Sequence, residues 1–513
     1  MKGSKTIELG IIFFLIIISL YFWTLPFQKN RLPFGDVDSS THFTLADSMS
    51  QTNKPINYLP AQFNNTYYLK TNNGKLWYFP QYHTGAAIFQ LMSGRFVGAY
   101  LFFALMSILI VLTSFILIKE LFGLLPAAIS SFWLVFSSRD ILWYILGVYP
   151  QVASFGMVPL FLYCTYKYVT SHLEKEPKQI YAFAGAVIIA LQFFVHPQAV
   201  FISGLTAAIF GFVMIAKHKK IPFDIKHAGI GIAIIIVLVL PFIGFFTTVE
   251  TEKTTLILSE LPSLFKWYGT PESGMPQQYY SFTAMHGFFL LPLAIIGVIL
   301  MLLRRKDEDL LMLSWLFAYY VALHMSLFGW HRNLRFMEVE AHILVPIAVV
   351  GVLRLPSLIP MQKNAKNIAR IVLSAILIIS IVTFAVNPAH AILKNAFEGT
   401  ARITPAQLGA TEWIKDKTNV QDTFYLLGTS TYTKKKWMRV LSLRQTNFKN
   451  ENEFSLSRAV FNHSYAIFDY SDWIAAYGGL PEPVAALQAE EISNFNQSRP
   501  VYSKDNIRVY KIG

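Results

Sequence analysis

Two aspartates, two residues apart, follow directly after the first apolar segment of the chain. Asp36 and Asp38 lie in FGDVDSSTHFTLADSM, residues 34–49. A carboxylate can act as the general base that takes the proton from an acceptor hydroxyl as this oxygen attacks the anomeric carbon of a sugar. A second carboxylate can hold a sugar hydroxyl or a divalent metal. The alternative is that Asp38 only caps a helix beginning near Ser39, but capping explains neither Asp36 nor two acids beside a membrane.

A second charged group occurs in GWHRNLRFMEVEAH, residues 329–342. Arg335, Glu338 and His342 are three and four residues apart, so they share one face of a helix. Charges at or inside a membrane are costly and usually functional. One interpretation is an internal Arg–Glu pair, with Arg332 reaching back to the interface. The other is that Arg332 or Arg335 grips the phosphate at the head of a lipid, as guanidinium geometry allows.

Four residues are accessory candidates, namely His42, His196, Glu338 and His342. His42 follows Asp38 by four residues, so it lies on the same helical face and could orient the base or bind a metal. His196, in FFVHPQ, stands where a span ends and is more typical of an interfacial anchor than of a catalytic group. Carboxylates and imidazoles together also allow a metal site. The residues of this alternative site are Asp36, Asp38, Glu338 and His342.

Three other features receive structural interpretations. The basic run TYTKKKWMRV, residues 431–440, is predicted to be a solvated face. The aromatic stretch 262–283 could cover an active site or form an interfacial belt. Cys164 is the single cysteine of the chain, so an intrachain disulfide is excluded. It lies in a predicted span.

The elements that must position these residues are membrane helices. The 513-residue chain is 54% hydrophobic and only 14% charged, with long apolar runs that a soluble domain does not carry. A run of about 20 apolar residues crosses the hydrocarbon layer as a helix that satisfies its own backbone polar groups. About eleven such runs are predicted. They are 7–26, 97–118, 123–137, 149–167, 179–195, 198–216, 229–249, 285–303, 309–329, 337–355 and 368–387.

Loop charge predicts the sidedness of these spans. The basic segments MKGSK, YKYVTSHLEKEPK, AKHKKIPFDIKH, LRRKDED and QKNAKNIAR alternate with less basic loops. Placing them in the cytoplasm satisfies the positive-inside rule, and the first span lacks a small-residue cleavage site, so it is predicted to be a retained anchor. The N-terminus is then cytoplasmic, and Asp36, Asp38 and the C-terminal tail face outward from the plasma membrane, or from the ER membrane in a eukaryote. Because anchoring and surface account for the formal charge of +13, no nucleic-acid partner is expected.

The predicted fold class is an all-α polytopic membrane domain followed by a small extracytoplasmic α/β domain. The membrane domain comprises residues 1–388, with outer loops at 28–84 and 250–284. The α/β domain comprises residues 389–513, where ITPAQLGATEWIKDKT predicts a helix with Thr404 as N-cap and a proline at its first position. The segments DTFYLLG, YAIFDYSDW and NIRVYKIG predict strands, and PVAALQAEEISN predicts a second helix.

The order of these features resembles the GT-C superfamily of polytopic glycosyltransferases, which use lipid-phosphate-linked sugars. The first outer loop carries DVDSSTH and ends in WYFPQYHTGAAIFQLMSG. GVYPQVASFGMVPLFLY, FFVHPQAVF and LRFMEVEAHILVPIAVVGVL look like later landmarks, and ATEWIKDKT opens the outer domain. The resemblance covers the whole chain and extends to the mannosyltransferase, aminoarabinose transferase and oligosaccharyltransferase catalytic-subunit branches.

This resemblance implies a hexosyl- or pentosyltransferase with a polyprenyl- or dolichyl-phosphate-linked donor. The acceptor is expected to be a glycan, lipid or protein on the extracytoplasmic face, and the anomeric configuration to be inverted. The residues carried over are Asp36 or Asp38 as base and Arg332 or Arg335 at the lipid phosphate. The expected partners are the donor, the acceptor and membrane lipids.

The chain departs from the oligosaccharyltransferase branch at two places. That branch carries WWDYG early in its outer domain, where this chain reads FYLLGTSTYTKKKW, so recognition of a peptide sequon is not expected. It also has acidic metal ligands in its second outer loop, where this chain has LGVYPQ with only Asp140 nearby. The prediction therefore requires no metal, and Mg²⁺ or Mn²⁺ is the alternative.

Two other functions compete with glycosyl transfer. A transporter or flippase of lipid-linked sugars favours internal repeats and broken helices in both halves of the chain. A non-catalytic subunit of a cell-envelope glycan assembly complex would not need the outer carboxylates.

Overall fold

The computed structural model describes residues 2–52, 79–245, 289–324, 339–360, 362–395, 402–429, 431–447, 464–471 and 482–512. This part of the chain is mostly helical. In these residues, the helices that start before residue 200 are α1 (Lys2–Trp23), α2 (Leu25–Lys29), α3 (Val37–Thr52), α4 (Pro80–Ser93), α5 (Arg95–Ser107), α6 (Leu109–Phe122), α7 (Leu124–Val135), α8 (Ser138–Leu146), α9 (Tyr149–Gly156), α10 (Val158–Leu173), α11 (Gln179–Val195) and α12 (Pro197–His218). They are followed by α13 (Ile225–Val239), a 3₁₀ turn (Leu240–Phe245), α14 (Leu290–Arg304), α15 (Asp307–His324), α16 (Ala341–Leu358), α17 (Lys363–Ile381), a π turn (Val382–Val386) and α18 (Asn387–Asn395).

Six helical stretches in the described residues are long and apolar enough to cross a bilayer. They are Lys5–Trp23, Arg95–Phe122, Pro197–His218, Ile225–Phe242, Ala341–Leu358 and Lys363–Lys394. Two shorter apolar helices, Gln179–Val195 and Leu290–Arg304, fall below this length. The chain is therefore an integral membrane protein, but the predicted count of about eleven spans is not confirmed.

One predicted span shows that a long apolar run need not fold as one long helix. The run 149–167 folds as α9 and α10, separated at Met157. Pro159 stands in the first turn of α10, and a proline has no N–H to continue the hydrogen bonds of the preceding turn. At the break, the Met157 N–H bonds instead to Ser154 O, three residues back, at 3.1 Å. The sequence stays apolar through the break, so hydropathy alone does not detect it.

The C-terminal residues form a small α/β fold, as predicted. Its elements are α19 (Pro405–Lys417), β1 (Thr423–Leu427), α20 (Tyr432–Ser442), β2 (Gln445–Asn447), β3 (Ser464–Asp469), α21 (Glu482–Phe495), β4 (Tyr502–Lys504) and β5 (Ile507–Ile512). The sheet order is β2-β1-β3-β5-β4, with β1 parallel to β2 and β3, and β5 antiparallel to β3 and β4. Helix α20 and strands β2 and β4 were not predicted from the sequence.

The core of this fold lies between the sheet and its helices. Phe424 and Leu426 alternate along β1 and are fully buried with Met438 of α20. The predicted start of α19 is confirmed, because Thr404 accepts a hydrogen bond from the Gln407 N–H at 3.1 Å and its own N–H donates to Gln407 Oε1 at 2.9 Å. This reciprocal pair is a capping box, which satisfies two backbone donors at the helix start.

The chain divides into two compact units. The first comprises Met1–Trp23, Ala104–Trp143 and Tyr149–Ile392. The second comprises Thr24–Phe103, Tyr144–Val148 and Leu393–Gly513. The second unit thus includes residues of the predicted first outer loop together with the C-terminal α/β fold. The predicted domain boundary between residues 388 and 389 stays a prediction.

Candidate active site

Asp36 and Asp38 stand at the start of α3, within the second unit. Asp36 immediately precedes the helix, Asp38 lies in its first turn, and both side chains are partly exposed. The partial positive charge at a helix N-terminus favours a carboxylate there. The helix begins at Val37 and not near Ser39, so Asp38 is inside the helix and does not precede it as the capping alternative supposed.

The turn that carries Asp36 is closely packed. The Asp36 N–H donates to Ile145 O at 3.0 Å, and the Ser39 N–H donates to Asp36 O at 2.9 Å. Gly35 has φ +106°, and a Cβ there would lie 2.0 Å from Ser39 Oγ. Gly147 has φ +86°, and a Cβ there would lie 2.0 Å from Ser39 N. Glycine alone fits both positions, so the backbone of the aspartate pair is held in one place.

The segment before this turn is also anchored. Tyr100 Oη donates to Phe34 O at 2.7 Å and accepts from the Phe34 N–H at 2.8 Å, and the two rings stack at 4.1 Å. Arg402 donates to Asn30 O and Pro26 O, each at 2.6 Å. These bonds satisfy backbone groups that would otherwise be buried without partners, and they limit how far Asp36 can move.

Helix α20 packs on the aspartate turn from the C-terminal α/β fold. Thr433 Oγ1 donates to Asp36 Oδ1 at 2.8 Å, across 397 residues of sequence. Trp437 Nε1 donates to Gly35 O at 2.9 Å, and its indole is fully buried. The carboxylate of Asp36 is therefore oriented by a side chain that no local sequence pattern connects to it.

The prediction that residues 431–440 form a solvated face is wrong. Lys434, Lys435 and Lys436 are 3%, 1% and 4% exposed, because α20 is enclosed by the sheet core on one side and the aspartate turn on another. Burial lowers the pKa of the Lys436 ammonium to about 8, and the Asp38 carboxylate opposes this shift. A charge run is usually solvated, but Trp437 and Met438, directly after the three lysines, were the signal of a packed helix.

His42 lies where its spacing predicted, on α3 one turn after Asp38, and its ring contacts a second histidine. His42 Nδ1 and His83 Nε2 are 2.9 Å apart, and both rings are buried. Burial lowers the pKa of His83 to about 4, so His83 is neutral at pH 7. The hydrogen bond then requires that one of the two facing nitrogens carries a hydrogen. His83, on α4, was not among the sequence candidates.

An ion pair between a buried carboxylate and a partly exposed guanidinium connects α3 to α5. Arg95 Nε and Nη2 donate to the two oxygens of Asp47 at 2.8 and 2.9 Å, and Asp47 is fully buried. Arg95 Nη2 also donates to Leu441 O at 3.3 Å, near the end of α20. A bidentate pair of this kind fixes geometry as well as contributing energy, so it positions the helix that carries Asp38.

His342, another predicted accessory residue, belongs to the first unit and is paired there. Its Nε2 lies 2.9 and 3.0 Å from the two oxygens of Asp140, and both residues are buried. Glu340 is also buried, and its Oε2 has no hydrogen-bond partner within the described residues. Asp140 is the acid noted near LGVYPQ, but its pairing with His342 was not predicted.

Of the remaining sequence candidates, three lie outside the described residues and one, His196, lies in the first unit. Arg332, Arg335 and Glu338 lie outside the part of the chain that the structure describes. His196 joins α11 to α12, where its N–H donates to Gln192 O at 2.8 Å. The placement of His196 at the end of a membrane span stays a prediction.

No metal centre is formed in the described ranges. They contain no group of three or more His, Cys, Asp or Glu side chains that could hold an ion. Of the four residues in the alternative metal site, Asp36 accepts from Thr433 and His342 is bonded to Asp140. The metal alternative stays a prediction.

No protein-family model and no curated protein sequence matches this chain. Solved structures do match. The apo oligosaccharyltransferase of Archaeoglobus fulgidus aligns with a TM-score of 0.56 and 15% identity over 86% of this chain and 64% of that one. This chain thus covers less than two thirds of the archaeal protein.

A second match covers nearly the whole length of both proteins. ArnT from Cupriavidus metallidurans in the apo state aligns with a TM-score of 0.56 and 12% identity over 98% of this chain and 97% of that one. The same protein bound to undecaprenyl phosphate aligns with a TM-score of 0.52 and 11% identity over the same shares. At such identities the likeness concerns the fold: the chain has the polytopic membrane fold of the GT-C glycosyltransferases.

Proposed function

We propose that this chain transfers a sugar from a polyprenyl- or dolichyl-phosphate-linked donor to a glycan, lipid or protein acceptor on the extracytoplasmic face of the membrane. The observation that supports this most is the paired carboxylate of Asp36 and Asp38, partly exposed on a rigid turn, in a chain with a GT-C fold. The ArnT structure with bound undecaprenyl phosphate makes a lipid phosphate the natural leaving group.

The reaction is a single displacement. Asp36 or Asp38 takes the proton from the acceptor hydroxyl, and the acceptor oxygen forms a bond to the anomeric carbon. The bond from that carbon to the phosphate oxygen breaks, and its electron pair leaves with the lipid phosphate. Attack from the side opposite the leaving group inverts the anomeric configuration, and a positioned general base contributes about 10²- to 10⁴-fold to the rate.

The charge that grows on the leaving phosphate needs stabilisation. A guanidinium can supply it without a metal when the site is partly dry. We assign this role to Arg332 or Arg335, because both are arginines and both lie just before a predicted span. Asp36, Asp38, Glu338 and His342 have the donor atoms that Mg²⁺ or Mn²⁺ would take, and transfer that continues after treatment with EDTA would exclude this alternative.

Preorganisation is the contribution of the surrounding structure. Thr433 holds Asp36 through one oxygen, and the glycine turn holds its backbone. A carboxylate that is already oriented needs little reorganisation free energy when the acceptor binds. The Asp47–Arg95 pair and the His42–His83 pair hold the rest of α3 in the same way.

The test is transfer of a radiolabelled sugar from a synthetic polyprenyl phosphate, with membranes of the source cells as the acceptor pool. Asp36→Asn and Asp38→Asn keep the size of each side chain and remove its basicity, and Asp416→Asn, on the exposed side of α19, is the matched control. We expect the variant of the base to lose transfer while its thermal unfolding is unchanged. Full activity in both variants would remove the base assignment, whereas no transfer by the unchanged protein would favour a transporter or a non-catalytic subunit.

A further inference from the structure

A small cavity lies in the first unit, where α1 and α6 meet. Its volume is about 200 Å³, and every residue that lines it belongs to this one unit. Pockets that enclose a whole drug-sized ligand measure about 300–1,000 Å³. The cavity can therefore enclose one part of a larger molecule, whose remainder lies outside it.

The polarity of the lining changes over one helical turn. The charged lining residues are Glu8 of α1 with Lys119 and Glu120 of α6. The apolar lining residues are each four positions nearer the middle of the same helix, and they are Ile12, Phe115 and Ile116. Four residues make one turn, which is about 5.4 Å of helix axis. Both helices thus present charge near one end and apolar side chains one turn further along.

This change in polarity has the orientation of a lipid bilayer. The two helices belong to the stretches Lys5–Trp23 and Arg95–Phe122, which are long and apolar enough to cross a membrane. Glu8 lies in the first turn of one stretch and Glu120 in the last turn of the other. Charged side chains are placed at the level of the lipid headgroups and apolar ones at the level of the acyl chains. The cavity therefore matches the head and upper chain of a lipid, at the membrane face that loop charge predicts to be cytoplasmic.

The charged lining residues form ion pairs that a ligand can extend. Lys119 Nζ pairs with Glu8 Oε1, and Lys167 Nζ pairs with Glu120 Oε1 at 2.8 Å. The Lys119 and Glu120 side chains are 40% and 35% exposed, so these pairs contribute little to stability by themselves. An ionised carboxylate accepts hydrogen bonds at both oxygens, and an ammonium has three donors. A headgroup that carries both an ammonium and a phosphate can therefore bond to the glutamates and to Lys119 together.

We propose that this cavity binds an aminophospholipid of the phosphatidylethanolamine type. Its ammonium donates to Glu8 and Glu120, its phosphate accepts from Lys119, and the start of one acyl chain packs on Ile116. The lining has two carboxylates and one ammonium, so it favours a head with a cationic group over an anionic head. A choline head has no N–H to donate, and a polyprenyl phosphate has no amine, so this site differs in chemistry from a donor site. A lipid held there bridges α1 and α6 and stabilises their packing.

The experiment measures lipid binding by the purified protein in detergent, and it needs neither donor nor turnover. Native mass spectrometry gives the Kd of the first bound lipid for three probes with identical chains: dioleoyl phosphatidylethanolamine, phosphatidylcholine and phosphatidylglycerol. The test variants are Glu120→Gln, which removes a charge of the lining, and Ile116→Trp, which fills the cavity from a side chain that is 40% exposed. Glu174→Gln, at the exposed end of α10, is the matched control. Lys167→Gln breaks the same ion pair as Glu120→Gln but keeps the carboxylate.

We expect phosphatidylethanolamine to bind about fivefold more tightly than either other lipid, or about 1 kcal/mol at about 1.4 kcal/mol per factor of ten. Glu120→Gln should remove this preference, and Ile116→Trp should weaken phosphatidylethanolamine binding by a similar factor. Lys167→Gln and Glu174→Gln should bind it at least as tightly as the unchanged protein does. Added phosphatidylethanolamine should also raise the Tm of the unchanged protein, because a ligand that binds only the folded state stabilises it.

The proposal is overturned if phosphatidylethanolamine binds no more tightly than phosphatidylcholine, or if phosphatidylglycerol binds most tightly. It is also overturned if Lys167→Gln weakens binding as much as Glu120→Gln does, because the ion pair and not the carboxylate would then be responsible. Thermal unfolding shows which variants are folded. Folded Glu120→Gln or Ile116→Trp that binds phosphatidylethanolamine as tightly as Glu174→Gln does would place the lipid elsewhere, and each of the two variants is a test without the other. These outcomes are independent of the aspartate variants.

Discussion

Replacing Lys436 by methionine should stabilise the folded chain and alter how its stability depends on pH. The ammonium has a pKa of about 8 in the fold against an ordinary value of 10.5. Between these two values the unfolded chain binds a proton that the folded chain does not, so the free energy of unfolding rises with pH across this window. At about 1.4 kcal/mol per unit of pKa, the rise is about 3 kcal/mol, and below pH 8 the same amount is the cost of keeping Lys436 charged and buried.

Methionine retains the length and apolar stem of the lysine without its charge, so Lys436→Met should recover up to about 3 kcal/mol at pH 7. Thermal or denaturant unfolding in detergent, repeated from pH 7 to pH 10.5, measures both the gain and the slope. The unchanged protein should gain stability through this window, and Lys436→Met should not, beyond what the control Lys417→Met also shows. A variant that is less stable than the unchanged protein at pH 7, or that keeps the full slope, would refute the reasoning.

Three further predictions concern the supports of the site and the donor. Asp47→Asn leaves the Arg95 guanidinium without its carboxylate, and should cost about 3 kcal/mol in the free energy of unfolding, measured by denaturant titration against Asp416→Asn. Because burial lowers the pKa of His83 to about 4 from 6.5, the fold should lose about 3 kcal/mol as pH falls from 6.5 to 4, and His83→Gln should reduce this acid-side loss. Arg332→Ala and Arg335→Ala should raise the KM for the lipid-linked donor more than they lower kcat, and an unchanged KM in both would reject the phosphate clamp.

Local sequence patterns were sufficient for much of the C-terminal fold. Thr404 followed by a proline predicts a capped helix start, and the structure has Thr404 as the N-cap, within a capping box that also uses Gln407. Alternating apolar residues gave β1, β3 and β5. These signals act over a few residues, so a sequence shows them directly.

The features that join distant segments were not predicted. The burial of Lys436, the Thr433–Asp36 bond and the His42–His83 pair all depend on residues that lie far apart in sequence. A lysine run has the same composition whether it faces water or packs against carboxylates, so tertiary contacts decide its burial. The same limit applies to the membrane helices, where Pro159 divides an apolar run that hydropathy treats as one span.

The central claim is that a carboxylate of the aspartate turn removes the acceptor proton during sugar transfer. The most direct measurement is the rate of labelled sugar transfer from a polyprenyl-phosphate donor by the double variant Asp36→Asn/Asp38→Asn, compared with the unchanged protein at equal folded concentration. We expect the rate to fall by about 10²-fold or more, as loss of a general base requires. A double variant that is folded and transfers sugar at the unchanged rate would contradict this account.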